Sequence, residues 1–196
     1  MKNLFTLSLL FAALSAQSQF GVHAGVNNSW FAGQGKFTGI NHSSQGIRAG
    51  LFDKIQFKHT FLQVELNYLK MGAKNPEEHN RHFSTYMINL PVTFGVKAGP
   101  VNFQIGAYLS RLIYARNYDF SGGNYGWHVN KWDWYRLWTK GFTGAIGYDL
   151  NPIYLEIHGL YGIDNVRHVK HDDSKMWGNK DMSLAVSLYV PFKTFK

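Results

Sequence analysis

DMSLAVSLYVPF, residues 181–192, is the most regular periodic stretch in the sequence. Its even-numbered positions carry Met, Leu, Val, Leu, Val and Phe, whereas the odd-numbered positions from 181 to 189 carry Asp, Ser, Ala, Ser and Tyr. Successive side chains of a β-strand point to opposite faces, so strict alternation indicates a strand with one apolar face and one polar or small face.

Seven other segments alternate in the same way, beginning near Phe20, Gln45, Phe61, Tyr86, Val101, Phe142 and Ile153. Together they predict eight strands of about ten residues, the length that crosses a bilayer at a tilt. Tight turns are predicted at Lys58-His59, Gly99-Pro100 and Asn151-Pro152, and long connections at residues 28–44, 71–82, 114–140 and 164–180. Short turns at one end and long loops at the other predict an all-β, eight-stranded antiparallel up-and-down transmembrane β-barrel.

The composition indicates which face of this barrel points outward. A soluble lipocalin-like barrel, the alternative, would turn its apolar set inward and cover its outer wall with charged side chains. The polar set of the predicted strands carries few charges, and the whole chain is 16% charged against about 25% in soluble domains. The apolar set is nearly unbroken and rich in aromatic residues, as contact with lipid requires. We therefore predict that the apolar face points outward, although the mean hydropathy of −0.24 resembles that of a soluble protein.

The N-terminal residues have the composition of a secretory signal peptide. Lys2 is followed by an apolar run over residues 4–14 and then by small residues as far as Ser18. We expect cleavage after Ser18, with Ser15 as the alternative, so that residues 1–18 are the signal peptide and residues 19–196 form one barrel domain. The chain has no cysteine, which excludes a lipoprotein anchor, and the expected location is the cell outer membrane.

Several strand sequences resemble those of a known family. They are QFGVHAGVN at residues 19–27, GIRAGLF at 46–52, LQVELNY at 62–68, and the hairpin from INLPV at 88–92 to QIGAY at 104–108. These stretches are similar to strands of the PorT-like outer-membrane β-barrel proteins, sometimes labelled a porin family. The resemblance implies the fold and the location more strongly than an activity. Because the namesake is an accessory of the type IX secretion system, it also implies a role as accessory subunit of a larger outer-membrane assembly.

A polar network is predicted inside the barrel. Arg48 and Glu65 lie on adjacent strands and both point inward, so we expect a buried ion pair that Lys97, Glu156 and His158 extend. An eight-stranded barrel is just wide enough for side chains to fill it, and buried charges must be paired. A structural plug is one interpretation, and a path for protons or small ions is the other. Glu156 and His158 could also form an acid/base pair, although no nucleophile accompanies them.

The third long connection is unusually rich in aromatic and basic residues. The candidate recognition residues there are Trp127, Trp132, Trp134, Tyr135, Arg136 and Trp138. Such residues form the aromatic girdle at a membrane interface, and they are also enriched at the centres of binding interfaces. The sequence leaves open whether they act as a girdle, as a surface that recognises glycan, lipopolysaccharide or a partner protein, or as both.

Other functional classes have weak support in the sequence. His168, His171 and Asp172 match no specific metal-ligand spacing, and the basic residues are dispersed without a nucleic-acid reading motif. We expect no cofactor and no catalytic residue, with outer-membrane lipid and lipopolysaccharide as the partners. A lipid A-modifying enzyme, with a Ser–His pair at the lipid-facing rim, and a narrow channel are the two alternative functions.

Overall fold

The computed structural model describes residues 18–33, 42–75, 81–119, 126–129, 136–165 and 179–192. Over these ranges the chain forms nine strands: β1 Ser18–Gly33, β2 His42–Phe57, β3 Thr60–Asn75, β4 Arg81–Ala98, β5 Val101–Asp119, β6 Gly126–Val129, β7 Trp138–Asp149, β8 Tyr154–Asn165 and β9 Asn179–Pro191. No helix within these ranges has the length and apolar character needed to cross a membrane. The predicted signal peptide lies outside the described residues except for Ser18, which begins β1.

The strands close into a barrel of antiparallel neighbours. β1 pairs with β9, which joins the two ends of the sheet. β5 pairs directly with β7, whereas β6 pairs only with the last residues of β5, so eight strands form the closed wall. The predicted eight-stranded antiparallel up-and-down transmembrane β-barrel is therefore confirmed. We call the end with the turns after β2, β4 and β7 the turn side, and the opposite end the loop side.

The strands are longer than the alternation predicts. β5 has 19 residues and β4 has 18, and residues expected in long connections belong to the sheet. Asn28, for example, pairs with Leu184 of β9 and Gln45 of β2. The predicted boundary is wrong there because residues 27–29 are Asn, Asn and Ser, which are polar on both faces. The period-two pattern therefore fades while the backbone pairing continues.

The two faces point as the sequence predicts. Outward apolar side chains such as Ile105 and Val26 are 71% and 65% exposed, whereas inward Arg48 and Glu156 are 1% and 0% exposed. A soluble barrel would have the opposite arrangement. The exposed apolar wall is therefore the surface that meets lipid, and the closed ring of strands satisfies the backbone groups that lipid cannot.

The loop-side half of the lumen is more apolar than the sequence analysis predicts. Eight buried side chains form one cluster there: Leu69, Met71, Ala73, Met87, Tyr108, Leu112, Ala115 and Leu160. Alternation does not reveal this cluster because both faces of the strands are apolar at that height. Met87 points inward, for instance, while its neighbours Tyr86 and Ile88 point outward.

Glycines make room for three large rings inside the narrow wall. Gly21, Gly95 and Gly141 pair across the sheet with Phe52, Phe61 and Tyr108, respectively. A Cβ atom added at any of these glycines would overlap the ring of its partner. The inward face therefore alternates between a ring and an empty position, which lets the rings lie flat against the wall.

Candidate functional site

The centre of the lumen is built around Glu65 on β3. Its Oε1 accepts hydrogen bonds from Gln63 Nε2 at 2.7 Å and Tyr189 Oη at 2.9 Å. Its Oε2 accepts from Asn67 Nδ2 at 2.8 Å and from Nη2 of Arg48 on β2. Both members of the ion pair are almost completely buried. Four donors and one opposite charge offset the cost of removing this carboxylate from water.

Glu156 and His158 on β8 lie next to Glu65. We call Arg48, Glu65, Glu156 and His158 the central cluster. Glu156 Oε1 accepts a hydrogen bond from Gln104 Nε2 at 2.6 Å. His158 Nε2 lies 3.6 Å from Glu156 Oε2 and 3.7 Å from Glu65 Oε1, so the imidazole stands between two carboxylates. The structure thus brings together Arg48, Glu65, Glu156 and His158 of the predicted polar network.

His23 also belongs to the central cluster, although the sequence analysis does not single it out. Its Nε2 lies 2.6 Å from Asn67 Oδ1 and 3.7 Å from Glu65 Oε2, and its ring stacks on Tyr189 with centroids 4.6 Å apart. The sequence does indicate that His23 points inward, because it alternates with the outward residues Val22 and Ala24 on β1. The register between β1 and β9, which places His23 opposite Tyr189, depends on closure of the barrel and could not be read locally.

The cluster is suited to holding a proton. Glu156 Oε2 and His158 Nε2 have no hydrogen-bond partner among the described residues. Thr143 Oγ1 lies 3.2 Å from the Gly159 carbonyl and 3.3 Å from His158 Nδ1. If Thr143 donates to that carbonyl, Nδ1 carries the proton of a neutral imidazole, a tautomer we assign from the contacts. A lone pair of Nε2 then faces Glu156 Oε2, which one shared proton would satisfy.

The same atoms are a poor metal site. Glu65, Glu156 and His158 each offer one ligand atom within 4.8 Å of the others. Both oxygens of Glu65 already accept two hydrogen bonds each, and the Arg48 guanidinium lies against this carboxylate. A divalent cation would have to displace these donors and lie close to a positive charge. The residues present therefore fit a proton or a water molecule better than a metal ion.

Lys97 does not join the central cluster, contrary to the expectation from its inward position. Its Nζ lies 2.8 Å from Asp149 Oδ2 near the turn side, and both side chains are partly exposed. The pairing of Thr60 with Val96 shows the reason, because Lys97 lies beyond the turn-side end of β3, several residues from the level of Glu65. An acidic partner closer in space, Asp149, neutralises it instead.

Only part of the predicted loop recognition surface can be placed. The side chain of Trp127, and all of Trp132, Trp134 and Tyr135, lie outside the described residues, as do His168, His171 and Asp172. Arg136 Nη1 forms an ion pair with Asp164 Oδ1 at 2.8 Å. Trp138 is exposed on the outer wall, where the Arg111 guanidinium lies 5.5 Å from its ring centroid.

Cations and aromatic rings meet repeatedly on the outer wall near the loop side. The Arg116 guanidinium lies 5.0 Å from the Tyr114 ring and 5.8 Å from the Tyr86 ring, and Lys180 Nζ lies 5.6 Å from the Tyr161 ring. With Arg111 and Trp138 they form what we call the outer collar: Tyr86, Arg111, Tyr114, Arg116, Trp138, Tyr161 and Lys180. Except for Arg116 and Tyr114, which are both on β5, these contacts join residues on neighbouring strands and depend on a register that the sequence does not specify.

The height of the outer collar matches a membrane boundary. Arg111 lies ten residues from the turn-side start of β5 at Val101, and Lys180 lies ten residues from Val190 near the turn-side end of β9. A tilted strand crosses the hydrocarbon core in about 9–11 residues. Arg111 and Lys180 therefore lie where the apolar band ends on the loop side, at the level of lipid headgroups, and Tyr114 and Arg116 extend the collar beyond that level along β5.

A closed eight-stranded barrel with an apolar outer wall and a filled polar centre defines an integral outer-membrane protein. Residues 13–167 match the family described as "Outer membrane protein beta-barrel domain", and the chain belongs to that family.

Solved structures show the same fold. Neisserial surface protein A (NspA) is 17% identical, with 89% of this chain and 99% of that chain covered and a TM-score of 0.54. Ail, the attachment invasion locus protein of Yersinia pestis, is 11% identical, with 90% and 99% covered and a TM-score of 0.50. Ail in complex with the heparin analogue sucrose octasulfate gives 9% identity, the same coverage and a TM-score of 0.49. Among curated proteins none matches the chain significantly.

Proposed function

We propose that this barrel is a non-enzymatic, non-conducting recognition protein whose outer collar binds phosphate groups of lipopolysaccharide and holds the long loops at the cell surface. The observation that carries the proposal is the outer collar itself. Arg111 and Arg116 on β5 and Lys180 on β9 face outward at the headgroup level or just beyond it, each over an aromatic ring. Guanidinium and ammonium groups pair with phosphate, and the rings occupy the interface between lipid and water.

The packed lumen supports a role at the surface over a role in transport. The central cluster and the aromatic side chains Phe52, Tyr154 and Tyr189 fill the interior between the turn side and the apolar loop-side cluster. Moving a hydrated ion past these groups would require breaking the hydrogen bonds of Glu65 or displacing buried rings. This barrier argues against the narrow channel that the sequence left as an alternative.

The direction of the strand histidines supports a non-enzymatic role. A lipid A-modifying barrel enzyme would need a Ser–His pair on the lipid-facing wall. Of the strand histidines whose side chains are described, His23 and His158 both point into the lumen and are buried. Neither reaches the acyl chains, which supports recognition over catalysis.

A closer relationship to the PorT-like proteins, and an accessory position in a larger assembly, belong to the same proposal. Both are supported by the similar strand sequences at residues 19–27, 46–52, 62–68 and 88–108. Under this proposal the loops, including Trp132, Trp134 and Tyr135, meet the partner, and residues 1–18 direct export and are removed.

The test is to extract the barrel from native outer membranes in mild detergent and to quantify the lipopolysaccharide and proteins that accompany it. A variant combining Arg111→Gln, Arg116→Gln and Lys180→Gln should retain roughly ten- to a hundredfold less lipopolysaccharide, because three cation–phosphate contacts of roughly 0.5–1 kcal/mol each are lost. The matched control is Lys58→Gln, an exposed lysine at the turn side.

The outcomes separate the alternatives. Equal lipopolysaccharide on the collar variant and on Lys58→Gln would contradict binding by the collar. A wild-type barrel that is monomeric and carries no other protein would contradict the accessory position while leaving the collar intact. A changed acyl-chain profile of lipid A in a strain lacking the protein would favour the enzyme instead.

A further inference from the structure

A cavity of about 210 Å³ opens at the turn side of the lumen. Lys54, Gln56, Asn102 and Tyr154 line its wall, and Lys97, paired with Asp149, also borders it. Pro191 and Phe192 form an apolar part of the lining. We call this space the turn-side cavity. It lies apart from the outer collar and is independent of the function proposed above.

Lys54 is a cation in the cavity wall whose side chain is almost completely buried, with an exposed fraction of 5%. Its Nζ lies 4.0 Å from the centroid of Phe61 and 4.6 Å from that of Tyr154, but no carboxylate among the described residues is within 4.0 Å and no described group accepts its hydrogen bonds. A buried charge without a counter-charge is costly, and two ring faces compensate only part of that cost.

Nearby carboxylates are engaged elsewhere. Asp149 accepts hydrogen bonds from Lys97 Nζ and from the Asn151 backbone N–H. Glu156 accepts from Gln104 and faces His158, and along β8 it is one inward step beyond Tyr154, which borders Lys54. Lys54 therefore has attraction from these charges at a distance without a direct partner.

Two residues of the cavity lining, Tyr154 and Asn102, also carry a buried polar atom without a hydrogen-bond partner in the described ranges. Buried polar groups are normally hydrogen-bonded. These two atoms are enclosed in the wall, so Lys54 is the cation that the cavity offers to a ligand. A partnerless ammonium in the lining of a mainly polar cavity is the feature of a small polar binding site.

We infer that the turn-side cavity binds a carboxylate group, with Lys54 Nζ as its hydrogen-bond donor. One cation without a counter-charge matches a single negative charge. The Asp149 carboxylate in the same wall disfavours a doubly charged phosphate. The volume admits a group about the size of an amino acid, so the ligand is either a small organic acid or the C-terminal carboxylate of a peptide that enters from the turn side.

The experiment is titration calorimetry of the full barrel in detergent micelles with three probes. N-acetyl-alanyl-alanine presents a peptide carboxylate, its C-terminal amide has the same shape without the charge, and acetate is the carboxylate alone. We expect the acid to bind and the amide to give no heat. Acetate binding as tightly as the peptide would identify a small organic acid as the ligand class, and tighter peptide binding would identify a peptide C-terminus.

Substitution of Lys54 tests the donor directly. Lys54→Met keeps the length of the side chain between the two rings and should weaken binding about tenfold or more. Lys58→Gln, outside the cavity, is the control. Lys54→Gln is a second variant in case Met at this position prevents folding, which a gel heat-shift assay detects.

Three results would overturn the inference. They are equal binding of the acid and its amide, unchanged affinity of both Lys54 variants, and absence of heat with every carboxylate probe on the folded wild-type barrel.

Discussion

At the scale of single residues, Glu65 connects most of the polar interior. It accepts hydrogen bonds from side chains on three strands, from Gln63 and Asn67 on β3, Arg48 on β2 and Tyr189 on β9. An ion pair of this kind contributes little net stability compared with apolar packing. Removing only one partner is costly because it leaves the other charge buried alone.

Glu65→Gln should therefore destabilise the barrel by about 3 kcal/mol, since Arg48 loses its counter-charge in a site that water cannot reach. The measurement is reversible urea unfolding in lipid vesicles, followed by tryptophan fluorescence. The double variant Arg48→Met/Glu65→Gln is the matched control and should be more stable than Glu65→Gln alone, because no unpaired charge remains. A single variant as stable as wild type would show that Arg48 finds another partner.

At the scale of strands, the wall depends on pairing between rings and glycines. Phe61 at the turn-side end of β3 pairs with Gly95 of β4, and the Lys54 ammonium lies 4.0 Å from the centroid of its ring. A Cβ at Gly95 would approach Phe61 Cε1 at 2.6 Å, which is closer than atoms pack. The ring would have to leave the wall and displace the Lys54 ammonium that lies against it.

Gly95→Ala should accordingly cost roughly 1–3 kcal/mol of stability through overpacking. Gly159→Ala is the matched control on β8, where an added Cβ would have its nearest neighbour at 3.8 Å and should be tolerated. The urea midpoints of the two variants are the comparison to make. Adding Phe61→Leu to Gly95→Ala should restore part of the loss, and no restoration would mean that the strain lies in the backbone.

At the scale of the whole molecule, closure of the barrel places apolar side chains on the outside and polar side chains on the inside, the reverse of a soluble protein. The outer wall exposes large apolar side chains over the membrane-spanning height, and the lumen holds the charges. A lumen of eight strands is narrow enough for side chains to fill. The plug that we propose consists of the central cluster and the two apolar clusters that flank it along the barrel axis.

The wild-type barrel should give no stepwise conductance in planar bilayers, because no described path through the plug avoids buried, hydrogen-bonded side chains. A large porin inserted in the same bilayer serves as the positive control. Regular current steps that scale with barrel concentration would contradict the plug and restore the channel alternative.

The features that the sequence predicts are those that depend on residues close together in the chain. Alternation is a local property, so residues 181–192 predicted their strand and its outward face, and the same pattern elsewhere predicted the strand count. Arg48 and Glu65 could be paired from sequence because they face the same way on adjacent strands. The end of β1 could not be predicted, since at residues 27–29 both faces are polar and the contrast between them disappears while backbone pairing continues.

The amino-acid order alone specified a membrane barrel, because lipid outside and packed side chains inside demand opposite chemistry at every second residue. Register and closure are determined by the tertiary structure. Because of them Lys97 pairs with Asp149, and His23 lies beside Glu65. They also bring cations over rings in the outer collar and leave Lys54 without a carboxylate partner in the turn-side cavity. Contacts of this kind join residues far apart in the sequence, such as Tyr189 and Glu65, which are 124 positions apart, and only a closed sheet of fixed shear determines which of them meet.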